Sequence, residues 1–232
     1  MFTLSRHELV HSEHPLARRL VRAYRAMRRF TLPAPRLFVR PVVAVFLALR
    51  ATYFVLVRVL LCEPFFKSYC ASYGRGVRTG VFLHWIQGHG RIEVGDDVIV
   101  DGKCSILFAA RYTAEPTLRI GSHTGIGHGC SFTVGSAITI ADHCRIGTFV
   151  SMFDASGHPS DPALRLADAP AAAASVRPIV IERNVWIGTG AVIFPGVTVG
   201  ENSVISAGAV VVASVPPNSL MLGNPARRMA AV

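Results

Sequence analysis

Between Ile181 and Pro216 the apolar positions of this chain keep a period of six. An Ile or Val opens each of six consecutive hexads, at Ile181, Ile187, Ile193, Val199, Ile205 and Val211. Four positions later stands a slim or β-branched residue: Val185, Ala191, Val197, Ser203, Ala209 and Val215. Neither the two-residue alternation of a half-buried strand nor the 3.6-residue repeat of a helix yields this spacing. A short fixed period held over 36 residues predicts a solenoid of stacked turns. Each opening aliphatic faces a narrow shared interior, and the slim position turns inward near a corner. The Gly, Asn and Asp residues in between tolerate the positive φ of tight bends.

The same beat is legible upstream, with openings at Val94, Val100 and Ile106, then Ile120, Ile126 and Phe132, then Ile140, Ile146 and Met152. The next opening in phase falls at 158, yet the pattern resumes only at 181. The chain therefore extrudes a loop over 153–178, inside a solenoid that runs over 91–216. Residues 63–90, rich in aromatics and Gly, read as a linker and lead-in strand. The tail 217–232 reads as a cap on one end, which an open stack of strand edges needs.

The first 62 residues follow other rules. From Leu16 to Phe30, Leu16, Leu20, Val21, Tyr24, Met27 and Phe30 stand near helical spacing among Arg18, Arg19, Arg22, Arg25, Arg28 and Arg29, which predicts a basic amphipathic helix. Pro33 and Pro35 break it. Pro41 to Cys62 is almost wholly apolar, interrupted by Arg50 and Arg58. A spanning helix wants about 20 apolar residues, and arginine at mid-bilayer is costly, so the segment reads as interfacial or shallowly inserted. A bilayer span and a helix packed on the domain itself are the alternatives. No small-residue cleavage site follows it, so it does not read as a secretory signal.

Charge sharpens this division. The chain of 232 residues carries a net charge of +10 and is 51% hydrophobic but only 16% charged. Residues 1–60 hold eleven Arg against two Glu, so the remainder is nearly neutral. An anionic partner for the arm is implied. Each cation beside an anionic leaflet contributes about 1 kcal/mol, and the greasy segment next to it has no role on nucleic acid. The expected partner of 1–62 is an anionic membrane surface and not nucleic acid. The five cysteines form no CxxC pair, and Cys104, Cys130 and Cys144 occupy the slim interior position, as small hydrophobes in a reducing compartment do.

The hexads resemble those of the hexapeptide-repeat acyltransferases. That resemblance implies an all-β solenoid, a left-handed parallel β-helix with three hexads per triangular coil. About five coils are then expected, a prism roughly 24 Å tall. From Pro178 onward the order Asn184-Val-Trp186-Ile-Gly188-Thr189-Gly, Pro195-Gly-Val-Thr-Val-Gly200, Ser206-Ala207-Gly208 and Gly223-Asn-Pro225-Ala-Arg227 is similar to the branch that O-acetylates sugars and antibiotics. The branch implies a homotrimer with acetyl-CoA lying in the groove between subunits. Carried over by motif, Thr189 and Ala207 would contact the pantetheine and Arg227 the nucleotide end, while Trp186 reads as wall packing, with a cofactor contact as the lesser option. Where the branch often has Thr followed by a cation, this chain has Val212 and Ala213, so either Arg227 or Arg228 meets the phosphates or the donor is bound differently.

The same branch carries its catalytic histidine on a Gly-His-Pro loop, and Gly157-His158-Pro159 opens the extruded segment here. Acyl transfer from a thioester to a hydroxyl needs a base for the hydroxyl proton, and imidazole suits neutral pH. The oxyanion that forms needs a donor, most simply a backbone N–H. Asp154 is the candidate to orient His158, with a loop-capping carboxylate as the equal alternative. The resemblance implies no metal, and the acceptor is expected to be a glycan or glycolipid intermediate at the cytoplasmic face of the inner membrane. Two rival readings stay open. His123 and His128, joined by His84 or His89, resemble the zinc histidines of gamma-type carbonic anhydrases, which would make a zinc hydratase. A non-catalytic solenoid scaffold is the other.

Overall fold

A computed structural model describes residues 13–232. Residues 1–12, part of the basic arm, lie outside the described residues. The chain divides into two compact units that meet in sequence at Arg50 and Ala51. Helix α1 (Pro15–Arg29) starts with Pro at its first turn behind the His14 side chain, whose Nδ1 accepts from the Leu16 amide. It buries none of its residues and ends in Arg28 and Arg29, favourable charges for a C-terminus. Helix α2 (Arg36–Val57) is apolar and has no buried residue. By length and composition, the continuous helical stretch Arg36–Tyr69 suffices to cross a membrane.

That stretch runs further than the sequence suggests. After α2 comes a π-turn, Arg58–Cys62, and then α3 (Glu63–Tyr69). Residues 63–69, expected to be linker, are helical, with Glu63 in the first turn of α3 and Lys67 in its last, the favourable placement of each charge. The π-turn also brings Glu63 to Arg58 at 3.0 Å and to Lys67 at 3.5 Å.

The second unit is a parallel β solenoid of short strands. Its first turn holds β1 (Ser72–Tyr73), β2 (Arg78–Thr79) and β3 (Trp85–Gln87). The second holds β4 (Arg91–Val94), β5 (Ile99–Val100) and β6 (Ser105–Phe108), and the third β7 (Thr117–Ile120), β8 (Gly125–Ile126) and β9 (Ser131–Val134). The fourth comprises β10 (Ala137–Ile140), β11 (Arg145–Ile146) and β12 (Ser151–Phe153), and the fifth β13 (Ile179–Ile181), β14 (Trp186–Ile187) and β15 (Val192–Ile193). β16 (Thr198–Val199), β17 (Val204–Ile205) and β18 (Val210–Val211) close the sixth. Every third strand pairs in parallel, giving three sheets. Six turns are present where about five were expected. The extra one is built from the lead-in 72–87, whose aromatics and glycines hide the hexad beat although its strands pair in register with β4, β5 and β6.

The interior follows the periodicity. Every opening residue from Val94 to Val211 is buried, and so are the slim positions, including Cys104, Cys130 and Cys144. Those cysteines are free, and their thiols donate to carbonyls of the wall, as Cys130 does to Gly147 at 3.1 Å. Between most opening residues and their slim partners lies a corner in the left-handed region, occupied by Asn184 (φ 59°), Asn202 (φ 58°) or Gly208 (φ 68°) among others. The amides of Asn184, Asn202 and Asn218 form a ladder along one edge, at 2.9 and 3.1 Å. The tail adds β19 (Ser219–Leu222), parallel to β17, and β20 (Arg227–Ala231), antiparallel to β19. It prolongs one sheet beyond the sixth turn and buries Met221 and Ala226.

Candidate active site

The extruded loop leaves the solenoid after β12 and returns at β13, so it springs from the corner between two sheets. Its base is built by Asp154, which is fully buried. One carboxylate oxygen accepts from the Gly135 amide at 2.5 Å, the other from the amides of Ser136 and Ala137 at 2.8 and 2.7 Å. Burial pushes this carboxyl up from its ordinary range, against the pull of those three amides. Asp154 is therefore the clasp of the 135–137 turn and not the orienter of His158. The capping alternative describes it, and the reason is supply: three amides at the insertion point have no strand partner, and an acceptor of short reach meets them. The far end is held by the Arg177 amide on the Asp154 carbonyl at 2.9 Å and by the Phe153 and Phe194 rings, 4.9 Å apart.

His158 stands exposed on this base, with Pro159 buried behind it. Among the described residues its side chain has no hydrogen-bond or ion-pair partner, so both ring nitrogens are open to a ligand. What shapes the segment is Arg165 of helix α4 (Pro162–Leu166). Its guanidinium donates to the carbonyls of Pro159 and Ser160 at 3.0 and 2.6 Å. Asp161 caps the helix, accepting from the Ala163 amide at 2.8 Å. Sequence reasoning missed Asp161 and Arg165. The signal was there, an Asp-Pro helix start with a cation in the last turn.

The structure brings Thr189 and Ala207 together. The Gly208 amide donates to the Thr189 carbonyl at 2.8 Å and the Gly190 amide to the Thr148 carbonyl at 2.9 Å, so Thr148, Thr189 and Ala207 stack along one corner. The column extends down to His128, whose carbonyl accepts from Phe149. Thr148 and Thr189 share a hydroxyl contact at 3.3 Å. Gly188 is required here, because a Cβ would lie 2.5 Å from the Ala207 amide nitrogen. Outside the corner the surface is open: nothing lies within 4 Å of where a Cβ would stand at Gly190 or Gly208. Trp186, 58% exposed, projects from β14 just before this corner. Arg227 and Arg228 lie exposed on the edge strand β20, and the Arg227 guanidinium donates to the Ala226 carbonyl at 3.0 Å.

The histidines weighed for zinc go to different partners within the chain. His123 stacks on His143, with ring centroids 4.9 Å apart, and its Nδ1 lies 3.7 Å from Asp97. Both stand at left-handed corners. His128 lies between Phe82 and Phe149, edge-on at 5.7 and 5.9 Å. His84 packs on Phe66 at 4.9 Å, and both its nitrogens are buried without a hydrogen-bond partner. That burial lowers its pKa to about 4. No group of three or more metal-ligating side chains gathers among the described residues.

A three-sided stack of parallel six-residue turns, interrupted by one extruded histidine loop, defines the class: a hexapeptide-repeat β-helix. The family model for the hexapeptide repeat of succinyl-transferase matches residues 178–213. The chain is 42% identical over 90 residues to a galactoside O-acetyltransferase of Escherichia coli, covering 39% of this chain and 42% of that one. It is 40% identical over 110 residues to nodulation protein L of Rhizobium meliloti, covering 47% and 57%. Among solved structures, a hexapeptide-repeat-containing acetyltransferase from Vibrio cholerae, complexed with acetyl coenzyme A, superposes with a TM-score of 0.53 at 29% identity, over 78% of this chain and 84% of that one. The chain spans about half the length of the curated relatives it matches. Over the solenoid the chain is similar to hexapeptide-repeat acetyltransferases, and its parallel sheets together with these neighbours fit a left-handed β-helix.

Proposed function

We propose that this protein transfers an acetyl group from acetyl-CoA to a sugar hydroxyl, with His158 as the general base. The observation that carries the reading is the exposed His158, held on a loop whose base Asp154 clasps and whose tip Arg165 shapes. A free imidazole nitrogen accepts the hydroxyl proton as the sugar oxygen attacks, and general-base help of this kind is worth about 10²–10⁴-fold. The names of the relatives, galactoside O-acetyltransferase among them, support a sugar as acceptor.

The corner of Thr148, Thr189 and Ala207 fits the donor, because it is flat, lined by small side chains and open over Gly190 and Gly208. Thr189 and Ala207 would flank the slim pantetheine, Trp186 would wall it, and Arg227 or Arg228 would meet the phosphates. When bound, acetyl-CoA supplies an activated thioester carbonyl. The groove would be completed by a second copy of the chain, in a homotrimer. Two features support a place at the cytoplasmic face of the inner membrane: the exposed basic helix α1 and the apolar stretch Arg36–Tyr69. A glycan or glycolipid intermediate carried on that membrane is the acceptor this position suits.

His158→Ala is the direct test. Thiol release from acetyl-CoA in the presence of a panel of sugars should fall at least about 100-fold, with circular dichroism and melting unchanged. Undiminished release by the variant would sink the reading. If neither protein releases thiol with any acceptor, the scaffold reading takes its place.

A further inference from the structure

The first turn of the solenoid is clothed unlike the turns after it. Phe65 and Tyr69 on α3, with Leu83 and Trp85 leading into β3, rim a single cavity of about 350 Å³, with Phe66 and His84 also in its wall. All four rim residues are exposed, Trp85 the most at 66%. They form one apolar surface with aromatic edges, continuous in sequence with the exposed Leu60 and Leu61. From Pro64 to Ile92 the chain has Lys67, Arg75, Arg78 and Arg91 and no carboxylate; Lys67 pairs with Glu63 and Arg91 with Glu93, which leaves Arg75 and Arg78 without an ion-pair partner among the described residues. Lys67 lies over the Tyr73 ring at 5.6 Å, so cation and aromatic already share this surface.

Solvent does not favour such a surface, and patches of this kind mark contacts. Trp and Tyr set among apolar side chains, in a segment richer in cations than in carboxylates, have the chemistry of the lipid–water interface: ring bodies among the upper acyl chains, polar edges and cations at the phosphates. We propose that the first turn of the β-helix docks directly on an anionic bilayer through Phe65, Tyr69, Leu83 and Trp85. This rests on the membrane reading of the arm and goes beyond it, since the solenoid itself, not only residues 1–62, touches lipid. The loop bearing His158 follows β12, three rungs from β3, so the stack sets it ~14 Å from the docking turn. That reach suits a hydroxyl on a saccharide extending from a lipid head group.

The test uses the full chain with Trp186→Phe, which leaves Trp85 as its only tryptophan. Vesicles of phosphatidylcholine and phosphatidylglycerol in equal parts should move its emission to the blue. Lipids brominated near the glycerol end should quench it more strongly than lipids brominated at the chain tip. In the otherwise unchanged chain, Phe65→Ser with Leu83→Ser and Trp85→Ser should weaken vesicle partitioning by about tenfold or more. If the protein binds vesicles while Trp85 emission stays put, the docking is wrong and the arm reading survives. If nothing binds, both fall. If Trp85 is already blue without lipid, and Trp85→Ser changes the molecular mass in solution, the patch is an interface between copies and the proposal is overturned.

Discussion

Asp154 and His84 show how much a single buried polar side chain decides. Asp154 satisfies three backbone amides at the one place where the solenoid lets its chain out. Asp154→Ala leaves those donors buried without an acceptor, at about 1–3 kcal/mol each, so denaturant unfolding should show a loss of at least about 3 kcal/mol. Asp154→Asn, which keeps an acceptor, should lose less. His84 carries the opposite problem, since its nitrogens have no partner and its folded pKa is lowered to about 4. The unfolded chain, with an ordinary histidine near 6.5, binds the proton first. This group's contribution is therefore whole above about pH 6.5 and declines as pH falls toward 4, by up to about 3 kcal/mol. Melting followed from pH 7 to pH 4 should show that decline, and His84→Phe should flatten it. Arg165 is a positioning residue. Arg165→Ala should lower kcat about tenfold while melting and the KM for acetyl-CoA hold, and Arg165→Lys should restore part of the rate.

At the scale of elements, the hexad is the robust signal and the helices are subtler. A residue every sixth place has one job, to fill a narrow interior, and burial of every opening position from Val94 to Val211 follows from that alone. The first turn, 72–87, has the same pairing but reads in the sequence as a lead-in, because it lacks the aliphatic openings of the later ones. Helix α1 is legible from its spacing, and its Arg face predicts behaviour. Reversing Arg18, Arg22 and Arg25 to Glu should cut binding to anionic vesicles by more than tenfold in flotation at low salt, at about 1 kcal/mol per cation removed. The difference should shrink as salt rises, because such attraction is screened.

For the whole molecule, the reading requires more than one copy. Light scattering should report three times the 25.0 kDa chain, and mixing His158→Ala protomers with wild type should reduce activity in proportion to the inactive loops. A monomer active at full rate would contradict the shared groove. The family model matches residues 178–213, inside the solenoid.

What the sequence determined by itself was whatever a strict local period can encode: the solenoid, the place where its chain is extruded, and the corner residues. These depend on spacing along the chain, and spacing is visible without coordinates. Tertiary structure alone decided where the buried polar groups found partners. Asp154 looked able to reach a histidine four residues on, yet it turned inward to amides 17 to 19 residues before it. His123 and His128, five apart, diverged to separate stacks. A carboxylate or an imidazole goes to whichever donor the fold leaves unmatched, and that is settled only when distant rungs close on one another.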